Sequence, residues 1–413
     1  MVFRGSLFVA CIGAINLASS IPANGDIVTD WNTAALDAIR DGSTAPPIAS
    51  RGLAILHVSI YDAVNGIDRR HEPYLVQSAV AASASSEAAA SAAAHEALVN
   101  LFPARISSFD ALHAAILAAI PDGPQKTAGI AWGEFVANEI LAARASDGSD
   151  AIVPPPGGSG PGVWVPTPPG FLLYLLPQWG FVVPFGMSSS SQFRPPGPPS
   201  LDSEQYAADY NEVKELGAAV GSTRTEEQTE IALFWADGGG TETPPGHWNS
   251  IAQIIAAAQG NPLEENARLF ALLNIAMADA AICAWDAKYE FHFWRPVTAI
   301  AFAEPELNWM SFIVTPPFPD YVSGHSTFSA AAATVLPLFY GTDDLPFTIG
   351  SDSLPDVYRS FSTCLDAAEE AAVSRIYGGI HFRFASEDGL QAGISIGDWT
   401  FDHYLRPKGN RRR

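Results

Sequence analysis

The sequence predicts a mainly α protein built of packed helical bundles and interrupted by one Pro/Gly-rich irregular segment. Three observations carry this. Apolar residues recur at helical spacing along most of the chain, strand-like alternation is scarce, and no repeat of solenoid length is present. The chain has 413 residues, 48% of them hydrophobic and 16% charged, which is ample for a sizeable core. At about 150 residues per domain, that length allows two or three domains or one large one.

Residues 1–23 read as a signal peptide. Arg4 gives a minimal positive start, Leu7 to Leu17 are mostly apolar, and Ala18, Ser19, Ser20 and Ala23 supply small residues for cleavage. Export to an extracellular or periplasmic space is therefore expected. Residues 24–150 form an N-terminal helical region. Asp30-Trp31-Asn32-Thr33 leads into a helix over Ala34–Arg40, and Ser50 to Ile67 reads as a largely buried helix. Residues 79–97 hold eleven Ala in nineteen positions, a small-residue helix suited to close packing. Helices over Ile106–Ile120 and Thr127–Arg144 flank the turn Pro121-Asp122-Gly123-Pro124.

Residues 151–200 differ in kind. Twenty-one of the fifty are Pro or Gly, interleaved with Trp164, Phe171, Tyr174, Trp179 and Phe185. A plain linker would not carry so many aromatics, so an ordered segment draped over the helices and shaping a cleft is expected. Residues 201–406 form a C-terminal helical region. Helices are predicted over Ser203–Gly217, Glu226–Ala236, Trp248–Gln259, Glu264–Trp285 continuing through Lys288 toward Arg295, Ser326–Leu336, Leu365–Ile376 and Leu390–Tyr404. Residues 407–413 are a basic tail, read as solvated.

Lys+Arg total 22 against Asp+Glu 44, a net charge of -22. So acidic a chain repels phosphate backbones and anionic lipid, which argues against nucleic-acid partners. Three cysteines exclude a disulfide scaffold and a Cys-rich metal cluster; Cys283 and Cys364 either pair or stay as buried thiols. Beyond the N-terminus no run offers about 20 uninterrupted apolar residues. Asn274, Asp279 and Asp286 break Ala271–Trp285, the best candidate, so no membrane span is expected.

Three stretches carry chemistry. In the first, Lys288 to Pro296, Lys288 and Arg295 lie about 700° apart on a helix, close to two turns, in an aromatic setting with Trp285, Phe291 and Trp294. Burying two like charges needs an anion between them; the alternative is that they reach solvent or pair with Glu290 and Asp286. The second, Pro316 to His325, ends in Ser323-Gly324-His325 at a helix start. Free amides, a hydroxyl and a titratable imidazole meet there, as an oxyanion site needs; an ordinary Ser cap is the alternative. The third runs Ser374-Arg375 to His381-Phe-Arg383, where Gly378-Gly379 would turn the chain so that His381 faces the same place as Arg375. Its alternative is a core His after a glycine cap.

In order and spacing these stretches resemble the vanadium-dependent haloperoxidases, which share their site with type-2 phosphatidic acid phosphatases and bacterial acid phosphatases. The resemblance covers roughly Asp202 to Arg406, including Phe234-Trp235-Ala236-Asp237 and Thr243 to Asn249, and more loosely Asp26–Ser200 through Tyr61-Asp62-Ala63-Val64 and the Pro-rich segment. It implies the helical-bundle fold of that family and a vanadate cofactor bonded to His381. Lys288, Arg295, Arg375, Ser323 and Gly324 would hold the vanadate oxygens. His325 would take a proton from hydrogen peroxide, with Lys288 also catalytic in polarising the peroxide, and Trp285 and Phe318 would line the halide side. Halide would leave as hypohalous acid, with a small organic molecule as acceptor. Two features depart from the family pattern. Val322 replaces a usual Pro, and Ala385 stands where many members place an Asp, so Glu387, Asp388 or a backbone carbonyl would have to orient His381. Two other functions fit the same residues. One is a soluble acid phosphatase in which His381 attacks phosphorus and His325 protonates the leaving group. The other is a silent helical binding protein. The halide, the acceptor and the oligomeric state stay open.

Overall fold

The computed structural model describes residues 26–78, 80–154 and 156–409; the signal-peptide segment and the last four residues of the basic tail lie outside them. The chain runs α1 (Ile27–Asp41), α2 (Pro46–Asp68), α3 (Ser86–Leu101), α4 (Ile106–Ala119), α5 (Pro124–Arg144), α6 (Glu204–Leu216), α7 (Glu226–Phe234), α8 (Thr243–Gln259), α9 (Leu263–Phe291), α10 (Pro296–Ala303), α11 (Gly324–Tyr340), β1 (Phe347–Gly350), β2 (Tyr358–Phe361), α12 (Cys364–Tyr377) and α13 (Arg383–His403). The mainly α class holds. The two strands pair antiparallel, Phe347 opposite Phe361, in a small hairpin that the sequence reading did not contain.

The helices form two bundles around one continuous apolar core. In the first, α1, α2, α3 and α5 pack together; in the second, α8, α9, α11 and α13. Matching bonds brace them. Trp31 Nε1 on α1 donates to Ser91 Oγ on α3 at 3.2 Å, and Trp248 Nε1 on α8 donates to Ser329 Oγ on α11 at 2.8 Å. The next residue ties each bundle again: Asn32 to His57 on α2 at 2.9 Å, and Asn249 to Asn274 on α9. Gly129 and Gly133 let α5 touch the backbone of α3, where an added Cβ would meet the carbonyl oxygens of Ser85 and Ala89. Gly389 and Gly393 do the same for α13 against Ser323 and Thr327 of α11.

Two buried carboxylates fasten irregular chain to this frame. Asp62 on α2 accepts the amide N–H groups of Tyr74, Leu75 and Val76 at 2.7–2.8 Å. Asp279 on α9 accepts those of Phe185, Gly186 and Met187 at 2.6–2.7 Å. The second clamp holds the Pro-rich segment, which lies along α9 as an ordered drape. Trp164 N donates to His292 O at 2.9 Å, and Trp294 N to Gly162 O at 3.0 Å.

α9 is long and apolar enough to cross a membrane, yet nearly all of it is buried inside the bundle. Asn274 and Asp279, the residues that interrupt it, are satisfied within the protein. Cys283 and Cys364 are free, buried thiols, not a pair; burial pushes both up to about 12.

Candidate active site

The expected continuation of α9 toward Arg295 is not what forms. The helix ends at Phe291, His292 takes the left-handed conformation (φ 48°), and the chain turns so that Arg295 becomes the residue before α10. Lys288 and Arg295 meet through this bend, not along one helical face. Pro296 at the first position of α10 lacks an N–H that the helix start would leave unpaired anyway. The carboxylates that could have neutralised the two cations are taken elsewhere. Arg194, from the Pro-rich segment, binds Asp286 at 2.5 Å and Glu290 at 2.9 Å.

Lys288, Arg295 and Arg375 are all fully buried. Lys288 Nζ donates to three carbonyls, Pro319 O at 2.9 Å, Asp320 O at 3.1 Å and Val322 O at 2.5 Å, and so fixes the loop leading to Ser323. Arg295 Nε donates to Phe318 O at 2.8 Å and Nη1 to Ile380 O at 2.6 Å, while Nη2 has no partner. Arg375 Nε donates to Ser374 Oγ at 2.9 Å, Nη2 to Trp235 O, and Nη1 lies 3.2 Å from His325 Nε2. Ser323 caps α11, its Oγ accepting from Ser326 N; the first-turn amides of Gly324 and His325 follow it with no acceptor inside the helix.

Beyond α12 the predicted turn forms. Gly379 is left-handed (φ 78°) and abuts the Gly217 backbone, where a side chain would collide. The chain swings back and sets His381 Nε2 3.1 Å from Arg295 Nη1. All six residues expected to hold an oxyanion, Lys288, Arg295, Ser323, Gly324, Arg375 and His381, thus lie with His325 around one buried locus.

The group that faces the other side of His381 is Asp320, a residue the sequence reading passed over. Its Oδ1 is 2.9 Å from His381 Nδ1, a close contact without hydrogen-bond alignment, and 3.9 Å from Arg295. Glu387 and Asp388 do not reach the imidazole. Glu387 sits 3.8 Å from Arg383, and Asp388 accepts from Tyr321 OH at 2.6 Å. A proton on Nδ1 facing Asp320 leaves Nε2 with its lone pair, the form a metal requires. The available signal was position: Asp320 stands three residues before the Ser323 cap, inside the stretch already singled out.

Electrostatically the site is a cluster of buried basic side chains. Burial, then the charge of Arg295, holds Lys288 well below its ordinary range. Burial lowers Arg295 and Arg375 to about 10. Burial, then neighbouring cations, pulls His325 and His381 well down, keeping both imidazoles neutral. Burial raises Asp320 to about 7 against the pull of Arg295 and Lys288. Three buried cations facing one weakened acid call for an external anion. An unpartnered guanidinium N–H and a helix start supply donors for it.

Trp285 and Phe318 form a wall beside this locus, with centroids 5.0 Å apart. A Cβ on Gly324 would touch Trp285 at 3.4 Å, and Lys288 Nζ lies 4.8 Å from the Phe318 centroid. The Pro-rich segment completes the wall: Leu175 O accepts from Trp285 Nε1 at 3.2 Å and from Tyr289 OH at 2.6 Å.

Residues 268–409 match the family model of the VCPO second helical-bundle domain. The chain is 26% identical to vanadium chloroperoxidase of Curvularia inaequalis, over 87% of this chain and 79% of that protein. It superposes on a bacterial vanadium-dependent iodoperoxidase with a TM-score of 0.84 and 27% identity, covering 93% of this chain and 98% of the other. Along most of its length the chain is thus similar to vanadium-dependent haloperoxidases. A bacterial vanadium-dependent chloroperoxidase in its apo form shares the haloperoxidase fold at a TM-score of 0.71 and 18% identity, over 86% of this chain and 93% of the other.

Proposed function

We propose that the chain is an exported, vanadate-dependent peroxidase that uses hydrogen peroxide to oxidise chloride or bromide to hypohalous acid, which then halogenates a small organic acceptor. The observation that carries this reading is the buried trio Lys288, Arg295 and Arg375, near which Asp286 and Glu290 are held by Arg194, Asp320 is 3.9 Å from Arg295, and Arg295 Nη2 has no partner. A tetrahedral metal oxyanion fits that donor set. Export rests on the sequence of residues 1–23.

Bound vanadate would supply a Lewis acid that activates peroxide without changing its own oxidation state. Arg295 and Arg375 would hold its oxygens and offset their charge, with the Ser323 hydroxyl and the Gly324 amide as further donors. His381 Nε2 would be the nitrogen bonded to the metal, with Asp320 at its Nδ1. His325, neutral because burial and Arg375 depress it, can accept a proton from hydrogen peroxide and return it to the departing water. Lys288 would act through its charge and by holding the 319–322 loop on which Ser323 depends. Per turnover, two electrons pass from halide to peroxide, one proton is consumed, and water leaves with hypohalous acid. The Trp285/Phe318 wall would present a poorly hydrated halide.

The test is to assay purified protein with peroxide and chloride, bromide or iodide, with and without orthovanadate, alongside a chromogenic phosphate ester. Halide oxidation that requires vanadate supports the proposal. Ester hydrolysis inhibited by vanadate, with no halide oxidation, replaces it with the phosphatase. His381→Ala should lower orthovanadate affinity by about 100-fold, and wild-type binding by that variant would remove His381 from the site.

A further inference from the structure

His247 lies in the first turns of α8, fully buried under the Trp235–Asp237 loop that leads out of α7. Its Nδ1 is 3.3 and 3.2 Å from the two carboxylate oxygens of Asp237. Its ring stands 4.7 Å from the Trp235 ring and 5.6 Å from that of Phe234. Nε2 makes no well-aligned hydrogen bond, though the Gly350 backbone lies within reach of the imidazole. The opposite side of the same loop meets the oxyanion locus. Trp235 O accepts from Arg375 Nη2, and the Trp235 and Ala236 backbone is within hydrogen-bonding reach of the His325 imidazole. Asp237 holds φ 43°, a costly region for a residue with a side chain, so the loop needs fastening. Its amide is fastened by Ser353 Oγ at 2.8 Å, and its carboxylate by His247.

The charged groups around His247 are few. Asp237 faces it from the loop and Glu242 from the start of α8; Glu242 is itself paired with Arg40 of α1 at 2.7 Å, and Arg40 also binds Asp352. Arg375 of α12 lies beyond Asp237, whose charge it feels. Burial pulls the imidazole down, but Asp237 and then Glu242 overcome it and push His247 up to about 8.

We propose that His247 is a positioning residue: by gripping Asp237 and stacking on Trp235 it fixes the loop carbonyls that aim Arg375 and His325 at the oxyanion. This rests on the roles given to Arg375 and His325 above. Asp237 and His247 thereby connect the site to α8, which contributes no group that touches the oxyanion.

The test is calorimetric titration of the metal-free protein with orthovanadate between pH 6.5 and 9.5, for wild type, His247→Phe and His247→Asn. His247→Phe keeps an aromatic ring and loses the donor. It should bind about tenfold more weakly at pH 6.5 and converge with wild type at pH 9.5. His247→Asn, whose amide can still donate to Asp237, should keep most of the affinity at pH 6.5 and lack the step near pH 8. Wild-type affinity and pH profile in His247→Phe would overturn the proposal, as would a uniform loss that leaves the step in place. If His247→Phe does not fold, Asp237→Asn decides: it should show the same loss and flattened profile, and wild-type behaviour overturns the proposal. His381→Ala is the control. Wild-type binding by that variant refutes the site itself, whereas loss in His381→Ala beside an unchanged His247→Phe refutes only the role of His247.

Discussion

The starts of α3 and α11 occupy matching places in the two bundles, each capped by a serine and each pressed by a glycine of the partner helix. At α3, Ser85 is followed by Glu87, whose carboxylate accepts from the Ser85 hydroxyl at 3.0 Å and supplies the helix start with its own negative charge. At α11, Gly324 and His325 follow the serine and bring no acid. The ends of α2 and α9 diverge likewise. Both close on a left-handed residue, Arg69 and His292, but only the chain leaving α9 delivers a buried Arg. The same scaffold thus exists twice, and chemistry depends on what the connections carry across its end. In the second bundle the α9–α11 and α12–α13 connections bring Arg295, Asp320 and His381 there; in the first the place is closed by its own carboxylate.

The two carboxylate clamps offer the largest test of this difference. Asp62→Ala and Asp279→Ala should each lower stability by about 3 kcal/mol in urea unfolding, since three buried amides lose their acceptor. Only Asp279→Ala should also depress halide oxidation, because the segment it anchors carries Leu175, the acceptor for Trp285. Equal loss of activity in both variants would break the asymmetry.

A smaller effect follows from His247, whose place before the bracing Trp is taken by Asp30 in the first bundle. Its folded pKa of about 8 lies above the ordinary 6.5. The stabilisation is therefore full below pH 6.5 and lost as pH rises through 8, about 2 kcal/mol in all. Urea melts at pH 6.5 and 9 should show the step in wild type and not in His247→Phe. The smallest effect concerns Glu87. Glu87→Gln should cost about 0.5 kcal/mol and leave orthovanadate binding unchanged, whereas changed binding would mean that the first bundle contributes to the site.

Much of this was legible in the sequence, and the failures share a cause. Helical periodicity located most helices, and residue types in order picked out the side chains that meet at the buried locus, because both signals are local. The bend after Phe291 was not legible, since Lys288-Tyr-Glu-Phe-His-Phe-Trp contains no Gly or Pro to mark it. The capture of Asp286 and Glu290 by Arg194 depends on contacts about ninety residues apart. The role of Asp320 was not legible because its contact with His381 is made across the fold, about sixty residues apart in sequence. The matched bracing of the bundles escaped for a similar reason: it lives in pairs such as Trp31–Ser91 and Trp248–Ser329, whose spacings differ.

The two thiols carry a last consequence. With the activity proposed above, the protein would work in a corrosive bath of its own making, with sulfur as the first casualty. Cys283 and Cys364 are walled off and, with pKa values pushed to about 12, remain in the unreactive protonated form. Among the described residues, Met187 and Met277 are likewise shielded, which leaves Met310 as the methionine most open to attack and the natural reporter of self-inflicted damage during turnover.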